Sequence, residues 1–321
     1  MTDGHYNSPD GLVKPSKKKS GFLHEIVTNR DYYLMALPAL LLIFAFSYVP
    51  YVGLVIAFQK YMPARGILGS TFVGLKNFEF FVKSYKVFQV TTNTLVMNAY
   101  FIISCQIMGV FVALCVNEIR HKFFKRVTQS LVFLPYFLSW VVISGIIFSM
   151  LDLEQGTVNQ FLTSIGLDPV RWYQSPQYWR GILTLANGWK WVGYTSVIYL
   201  ASLSALDQSL FEAAYVDGAT RWQGIWHITL PLLRPTMIIL ILLSVGRIFY
   251  GNFQMVYALV GSNGLLLSKV DVIDTFVFRS MLATGNFSFS VAISLVQSIL
   301  GIICVWGSNA LARRFSETSL F

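Results

Sequence analysis

Lys190 and Arg247 each stand inside a long apolar run, Gly181 to Leu203 and Thr236 to Ala258, and no Asp or Glu falls in any run of that kind. An intramembrane charge is expensive, turns toward a polar cavity or a partner group, and marks a site by default. Two readings stand side by side. In one, another chain supplies the acid or Arg247 bonds backbone carbonyls; in the other, the two cations draw an anionic solute. A second chemistry surrounds them. Asn187, Trp191 and Tyr194 are spaced by four and three, which is one face of a helix. Tyr136 with Trp140, and Tyr250 with Asn252, repeat the pairing of aromatic rings with polar groups. Flat rings against C–H surfaces and amides against hydroxyls suit a small-molecule passage. Asn93, Asn98 and Gln297 are weaker candidates of the same type. The competing reading is architectural, because Trp and Tyr collect at membrane interfaces while Asn and Gln bridge packed helices.

Catalytic chemistry finds no footing. No nucleophile with a base, no paired carboxylates and no His/Asp cluster falls on adjoining apolar runs. Asp152 and Glu154, two apart, could hold a cation but read better as a solvated loop start. Cys105, Cys115 and Cys304 sit in apolar runs without a Cys-x-x-Cys pair, and His5, His24, His121 and His227 are scattered, so neither metal nor haem is expected. A Gly-x-x-x-x-Gly-Lys-Ser/Thr loop that could cradle phosphates is missing as well.

The elements that must position these residues are spans. With 55% hydrophobic and 12% charged residues in 321, and a mean hydropathy of +0.58, the chain has too little polar surface for an ordinary globule, and lipid is the expected solvent. A net charge of +9 does not make a nucleic-acid binder of it, since the basic residues form no aromatic-interleaved stripe. Six segments have the roughly 20 apolar residues that cross a bilayer: Tyr32 to Phe58, Val90 to Val116, Val127 to Met150, Gly181 to Leu203, Thr236 to Ala258 and Gly285 to Ala312. Pro38 and Pro50 are expected to kink or bound the first.

Orientation follows from charge. Lys14, Lys17, Lys18 and Lys19 in the first tail hold it in the cytoplasm, and an even number of spans brings the C-terminus to the same side. The apolar run after this tail is too long for a signal-peptide core and lacks a small-residue cleavage site, so the tail is expected to be retained. The expected organisation is a basic tail over 1–31, a permease domain over 32–312 and a short tail over 313–321. On the outer side, Thr157 to Ile165 before Gly166, and Val270 to Leu282, read as short helices.

The loop 206–235, on the expected cytoplasmic side, is too regular for a slack connector. Asp207 can cap a helix, Gly218 can reverse the chain at its end, and a second short helix is expected from Ala219 to His227. Ala213 and Ala214 keep the surface low for a close partner, while Glu212 offers a charge. Trp222 and Trp226 share one face, and Pro231 and Pro235 are placed to open the next span. An amphipathic interfacial hairpin would need none of these small and acidic residues at fixed offsets.

At these residues the chain resembles the permease subunits of ABC importers. Their coupling signature runs Glu-Ala-Ala, then Gly six residues after the Glu, then Ile-x-x-Pro; here Glu212, Ala213, Ala214, Gly218, Ile228 and Pro231 occupy it. Asp217, Ala219 and Pro235 match the extended form found in sugar permeases, and TRWQGIWHITLPLLRPT is similar to the polysaccharide-type branch. The resemblance implies an all-α, six-helix transmembrane bundle of the type I importer kind in a bacterial inner membrane. It also implies a second homologous permease, two ATPase subunits that carry ATP and Mg, and an extracellular or periplasmic solute-binding protein. No cofactor is implied in this chain. The cargo implied is an oligosaccharide; Lys190 and Arg247 favour an acidic, uronate-containing one, alginate- or pectin-like, with a neutral oligosaccharide as the alternative. An ion-coupled secondary transporter, the rival class, would need titratable or carbonyl-lined sites near the midplane.

Overall fold

The computed structural model describes residues 28–315, and side chains except those of 80–82 and 311–315. Most of both expected tails, 1–27 and 316–321, therefore lies outside the described residues. The chain divides into two units, up to Leu54 and from Val55.

The first helix, α1 (Arg30–Ile43), passes Pro38 and continues through a π turn, Phe44–Tyr48, into a 3-10 coil, Val49–Phe58. A proline lacks an N–H and crowds the carbonyl four residues back. The widened turn just before Pro50 accommodates this, with the Val49 N–H reaching back to Phe44 O.

In the second unit a two-stranded ribbon pairs β1 (Gln59–Lys60) with β2 (Thr71–Phe72) antiparallel, Gln59 opposite Phe72. Then follow α2 (Lys76–Lys83), α3 (Tyr85–Asn117), α4 (Lys122–Phe133), α5 (Trp140–Leu151), α6 (Thr157–Ser164) and α7 (Pro176–Ser204). After these come α8 (Gln208–Val216), α9 (Arg221–Val245), α10 (Phe253–Val260), α11 (Gly264–Val270), α12 (Ile273–Thr284) and α13 (Phe287–Phe315). Among the described residues, four helices are long and apolar enough to cross a membrane: Arg30–Phe58, α3, α9 and Phe287–Ala310; the bent pair α4 and α5 makes a fifth if it counts as one span. Helix α7 has the length but is diluted by polar residues such as Asn187 and Lys190.

Helices α3 and α7 pack along each other. A Cβ added at Gly109 of α3 would stand 2.6 Å from Thr195 Cγ2 of α7, so glycine permits the close approach. The main core joins Met97 and Phe101 to Trp140, Trp179, Leu183, Met255 and Leu266. A second cluster, Ala113, Val116, Tyr199, Leu203 and Leu233, packs the opposite ends of α3 and α7 against α9.

Four expected elements differ. The third span, expected as one helix, bends by 98° between Phe137 and Trp140, after a 3-10 turn, Leu134–Phe137, that carries Pro135 near its start and ends in the extended Leu138. The fifth, expected from Thr236 to Ala258, ends as a helix at Val245 and resumes only at Phe253. The expected second short helix of the loop is the first part of α9. A π turn, Ile225–Thr229, carries it past Pro231, and Leu230 N–H reaches back to Ile225 O. Pro231 opens the regular α-helical part of α9, which starts at Leu230 after the π turn, as expected, whereas Pro235 lies inside the helix. Both π turns end two residues before a proline, so the same backbone problem meets the same solution twice. On the expected outer side, α6 stops before Gly166, which has φ +82°. The expected helix Val270 to Leu282 forms as α12 but starts later, at Ile273, because Val270 closes α11 and Asp271 and Val272 part the two.

Candidate functional site

A break in a helix at membrane depth exposes backbone groups that lipid cannot satisfy. Between Gly246 and Asn252 side chains satisfy them. Asn98 of α3 donates to Ile248 O at 2.8 Å and Tyr250 O at 3.0 Å. Gln297 of α13 donates to Phe249 O at 2.6 Å, and the Gly251 N–H donates to Asp274 of α12 at 2.5 Å. Asn252 then caps α10 by accepting from Met255 N–H. Asn98 and Gln297, weak candidates by sequence, thus hold backbone.

The clamped turn faces a cavity of about 580 Å³. It brings together the predicted residues Asn187, Trp191 and Tyr194 of α7 with Arg247, Tyr250 and Asn252 of the turn. Asn98, Phe101, Ile102, Cys105 and Gln106 of α3 supply the facing wall. Their spacing of three, one, three and one marks a single helix face, a signal the sequence reading did not use for Cys105 or Gln106. Tyr250 is anchored by its hydroxyl to Ser298, 3.1 Å away, and Asn187 donates to Cys105 Sγ at 3.4 Å. Arg247 is exposed at the cavity wall, and among the described residues no carboxylate pairs with it.

Lys190, Tyr136 and Trp140 do not line this cavity. Lys190 is 7% exposed and donates to the carbonyls of Tyr136, at 2.9 Å, and Leu138. Its ammonium also lies 5.5 Å from the Trp140 ring and 5.9 Å from that of Tyr136. The backbone bonding expected of Arg247 is thus made by Lys190, which closes the break in the third span. Close approach helps it, since a Cβ on Gly193, one turn further along α7, would collide with Val132 O and Phe133 Cα. Tyr136 stacks on Tyr194 at 5.4 Å and backs the aromatic wall from behind. Asn93 accepts from Arg180 at 2.8 Å and is structural too. Asp152 accepts from Glu154 and Gln155 N–H and caps its own turn.

The loop 206–235 forms a knob. Asp207 accepts from Ser209 N–H at 2.9 Å and starts α8. That backbone bond, aided by the Ser209 hydroxyl, holds the Asp207 carboxyl below its ordinary pKa. Gly218, at φ +85°, ends the helix, with Ala219 N–H returning to Ala214 O at 2.9 Å. Thr220 and Gln223 cap α9 reciprocally, and Arg221 pairs with Glu118 beyond α3 at 3.1 Å. Glu212 and Ala213 are exposed on α8. A groove of about 350 Å³ runs between the two helices, lined by Ala214, Asp217, Gly218, Ala219, His227 and Ile228 among others. Pro231 is not part of it. Trp222 and Trp226 point away from the bundle, 71% and 63% exposed.

A family model described as a binding-protein-dependent transport system inner membrane component matches residues 106–317, which include both the cavity turn and the knob. The chain belongs to this family. The polygalacturonan/rhamnogalacturonan transport system permease protein YteP of Bacillus subtilis is 33% identical over 97% of both chains. The trehalose/maltose transport system permease protein MalF of Thermococcus litoralis is 29% identical over 84% of this chain and 88% of its own. Among solved structures, a bacterial alginate ABC transporter in complex with an alginate pentasaccharide-bound periplasmic protein contains a chain that superposes with a TM-score of 0.83 at 30% identity. That match covers 94% of this chain and 100% of the other. The protein is therefore an ABC-importer permease with the type I fold, a multi-pass membrane protein.

Proposed function

We propose that this permease passes acidic oligosaccharides inward through the cavity beside Gly246–Asn252, driven by ATP hydrolysed on separate subunits. The observation that carries the reading is Arg247: an exposed guanidinium, unpaired among the described residues, on a wall shared with Trp191, Tyr194 and Tyr250. A guanidinium grips a carboxylate in two-pronged fashion, and the rings take the sugar's C–H faces. The cargo of its relatives, polygalacturonan and the acidic polysaccharide alginate, supports the same class. A neutral oligosaccharide is the second reading, favoured by an aromatic and amide lining that serves hydroxylated sugars without any charge and by the trehalose/maltose relative.

The working complex joins this chain to a second permease, two ATPases that carry ATP and Mg, and an outer solute-binding protein. The knob of α8 and early α9 seats in a cleft of an ATPase, and both termini lie in the cytoplasm. The low surface of Ala213 and Ala214, the exposed Glu212 and the groove at Gly218 support that docking. Reconstituted complex supplied with loaded binding protein tests the cargo. Arg247→Gln is expected to raise the half-saturating concentration for a uronate oligosaccharide by about 10–100-fold, with a neutral one little affected. Equal effects on both, or none on either, overturn the acidic assignment.

A further inference from the structure

The acid that the apolar runs lack arrives from outside them. Asp274 stands in the first turn of α12, a 12-residue helix on the expected outer side, yet its carboxylate reaches the broken fifth span. One oxygen, Oδ2, accepts from both the Gly251 N–H at 2.5 Å and Gln297 Nε2 at 3.2 Å. Gln297 uses the same amide nitrogen to hold Phe249 O. Gly251 is required at this contact, since a Cβ there would stand 2.5 Å from Val272 Cγ2 and 2.8 Å from Asp274 Oδ2.

The start of α12 is itself fixed to the bundle. Ile273 N–H donates to Thr94 of α3 at 2.9 Å, and the buried Asp271 accepts from Thr275 at 2.8 Å and Arg279 at 2.5 Å. Lys86 of α3 stands 3.9 Å from the same carboxylate. Ile273 packs with Val90 and Ile293. The carboxylate of Asp274 is thus presented from a rigid corner to a turn whose own backbone bonds are short-range, such as Tyr250 N–H to Arg247 O at 2.9 Å, and leave the Gly251 N–H to be taken by Asp274. That turn carries Arg247 and Tyr250 into the cavity.

We propose that Asp274 is a positioning residue for the solute cavity: through Gly251 and Gln297 it sets where Arg247 and Tyr250 stand, and it ties that wall to the outer helix α12. A hydrogen-bond acceptor at this place does the work, so the amide of Asn, which keeps one acceptor oxygen, substitutes for the carboxylate. The inference rests on the cavity being the solute passage, and the experiment separates the two.

Uptake into proteoliposomes bearing the whole importer, with a uronate oligosaccharide delivered on its binding protein, is measured against concentration for Asp274→Ala, Asp274→Asn, Gly251→Ala and Tyr250→Ala. Asp274→Ala and Gly251→Ala are expected to raise the half-saturating concentration by about tenfold with the maximal rate within about twofold, and Asp274→Asn to stay within about threefold of the parent. If Tyr250→Ala raises the half-saturating concentration but Asp274→Ala does not, the positioning role is overturned while the passage stands. If Tyr250→Ala has no effect either, the passage reading itself fails. Loss from Asp274→Asn equal to that from Asp274→Ala overturns the acceptor role in favour of charge. Should Asp274→Ala fail to assemble, Gly251→Ala, which keeps the carboxylate and displaces it, decides the same question: an unchanged half-saturating concentration overturns the proposal.

Discussion

Replacing Lys190 with Met separates a structural cation from one that reads cargo. Methionine keeps most of the stem's volume and removes the ammonium, which donates to Tyr136 O and Leu138 O at the bend of the third span. A hydrogen bond to a charged group contributes about 1.5–3 kcal/mol, so two are worth about 3–6 kcal/mol. The rings of Trp140 and Tyr136 add about 0.5–1 kcal/mol each. Relief of the ammonium's burial offsets several kcal/mol of this. What remains is the cost of two carbonyls at membrane depth with their donor gone, a net loss of about 2–4 kcal/mol. For a chain of this size that corresponds to a fall in melting temperature of about 3–6 °C. The assay is thermal unfolding of the detergent-solubilised complex, paired with uptake of an acidic and a neutral oligosaccharide at a temperature both proteins survive. The expected result is a less stable permease with its acidic-to-neutral ratio unchanged. A complex of parental stability that has lost its preference for acidic sugars would refute the structural role.

Two further outcomes concern the knob. Gly218→Val forces a β-branched residue to φ +85°, a strain of about 1–3 kcal/mol confined to an exposed turn; the variant should reach the membrane at parental levels while ATP-driven uptake falls by about tenfold or more, and parental uptake would remove the coupling role. Asp207 has its pKa lowered below 3.8 by the Ser209 N–H, so its contribution to α8 is present above pH 3.8 and is lost as pH falls through the lower folded-state value; hydrogen exchange at Ser209 should accelerate across that window in the parent and show no such step in Asp207→Ala.

What could be read from the sequence followed the reach of each signal. Asp207, Gly218 and the Glu-Ala-Ala motif act within one or two helical turns, and the structure places Asp207 as the cap and Gly218 as the reversal that their types demand. The apolar spans were legible for the same reason. Their breaks were not, because a hydropathy window of about 19 residues averages across a short interruption such as Gly246–Asn252. Gly246 and Gly251 within the run were the available hint. Lys190 and Arg247 looked alike in sequence because both are single cations in apolar surroundings; what separates them is that α7 turns Lys190 toward the bend while the fifth span opens at Arg247. Asp274 could not be assigned to a span at all, since it lies 23 positions from the Gly251 it holds.

The polar residues of this membrane domain therefore divide by what they face, and the division limits what the cavity can recognise. Lys190, Asn98 and Gln297 are donors, and each donates to carbonyls released by a broken helix, Gln297 sharing its amide with Asp274. Asp274, an acceptor, meets a released N–H. Tyr250 spends its hydroxyl on Ser298 and Asn252 its carbonyl on the cap of α10. Once those groups are committed, Arg247 is the charged residue left on the cavity lining, beside the rings of Trp191, Tyr194 and Tyr250 and the amide of Asn187. Rings and a hydroxylated sugar fit each other whether or not the sugar is charged, so discrimination between acidic and neutral cargo falls on Arg247. Its position depends in turn on a turn of backbone that no helix holds, and that is why the residues clamping the turn matter to selectivity as much as those that touch the sugar.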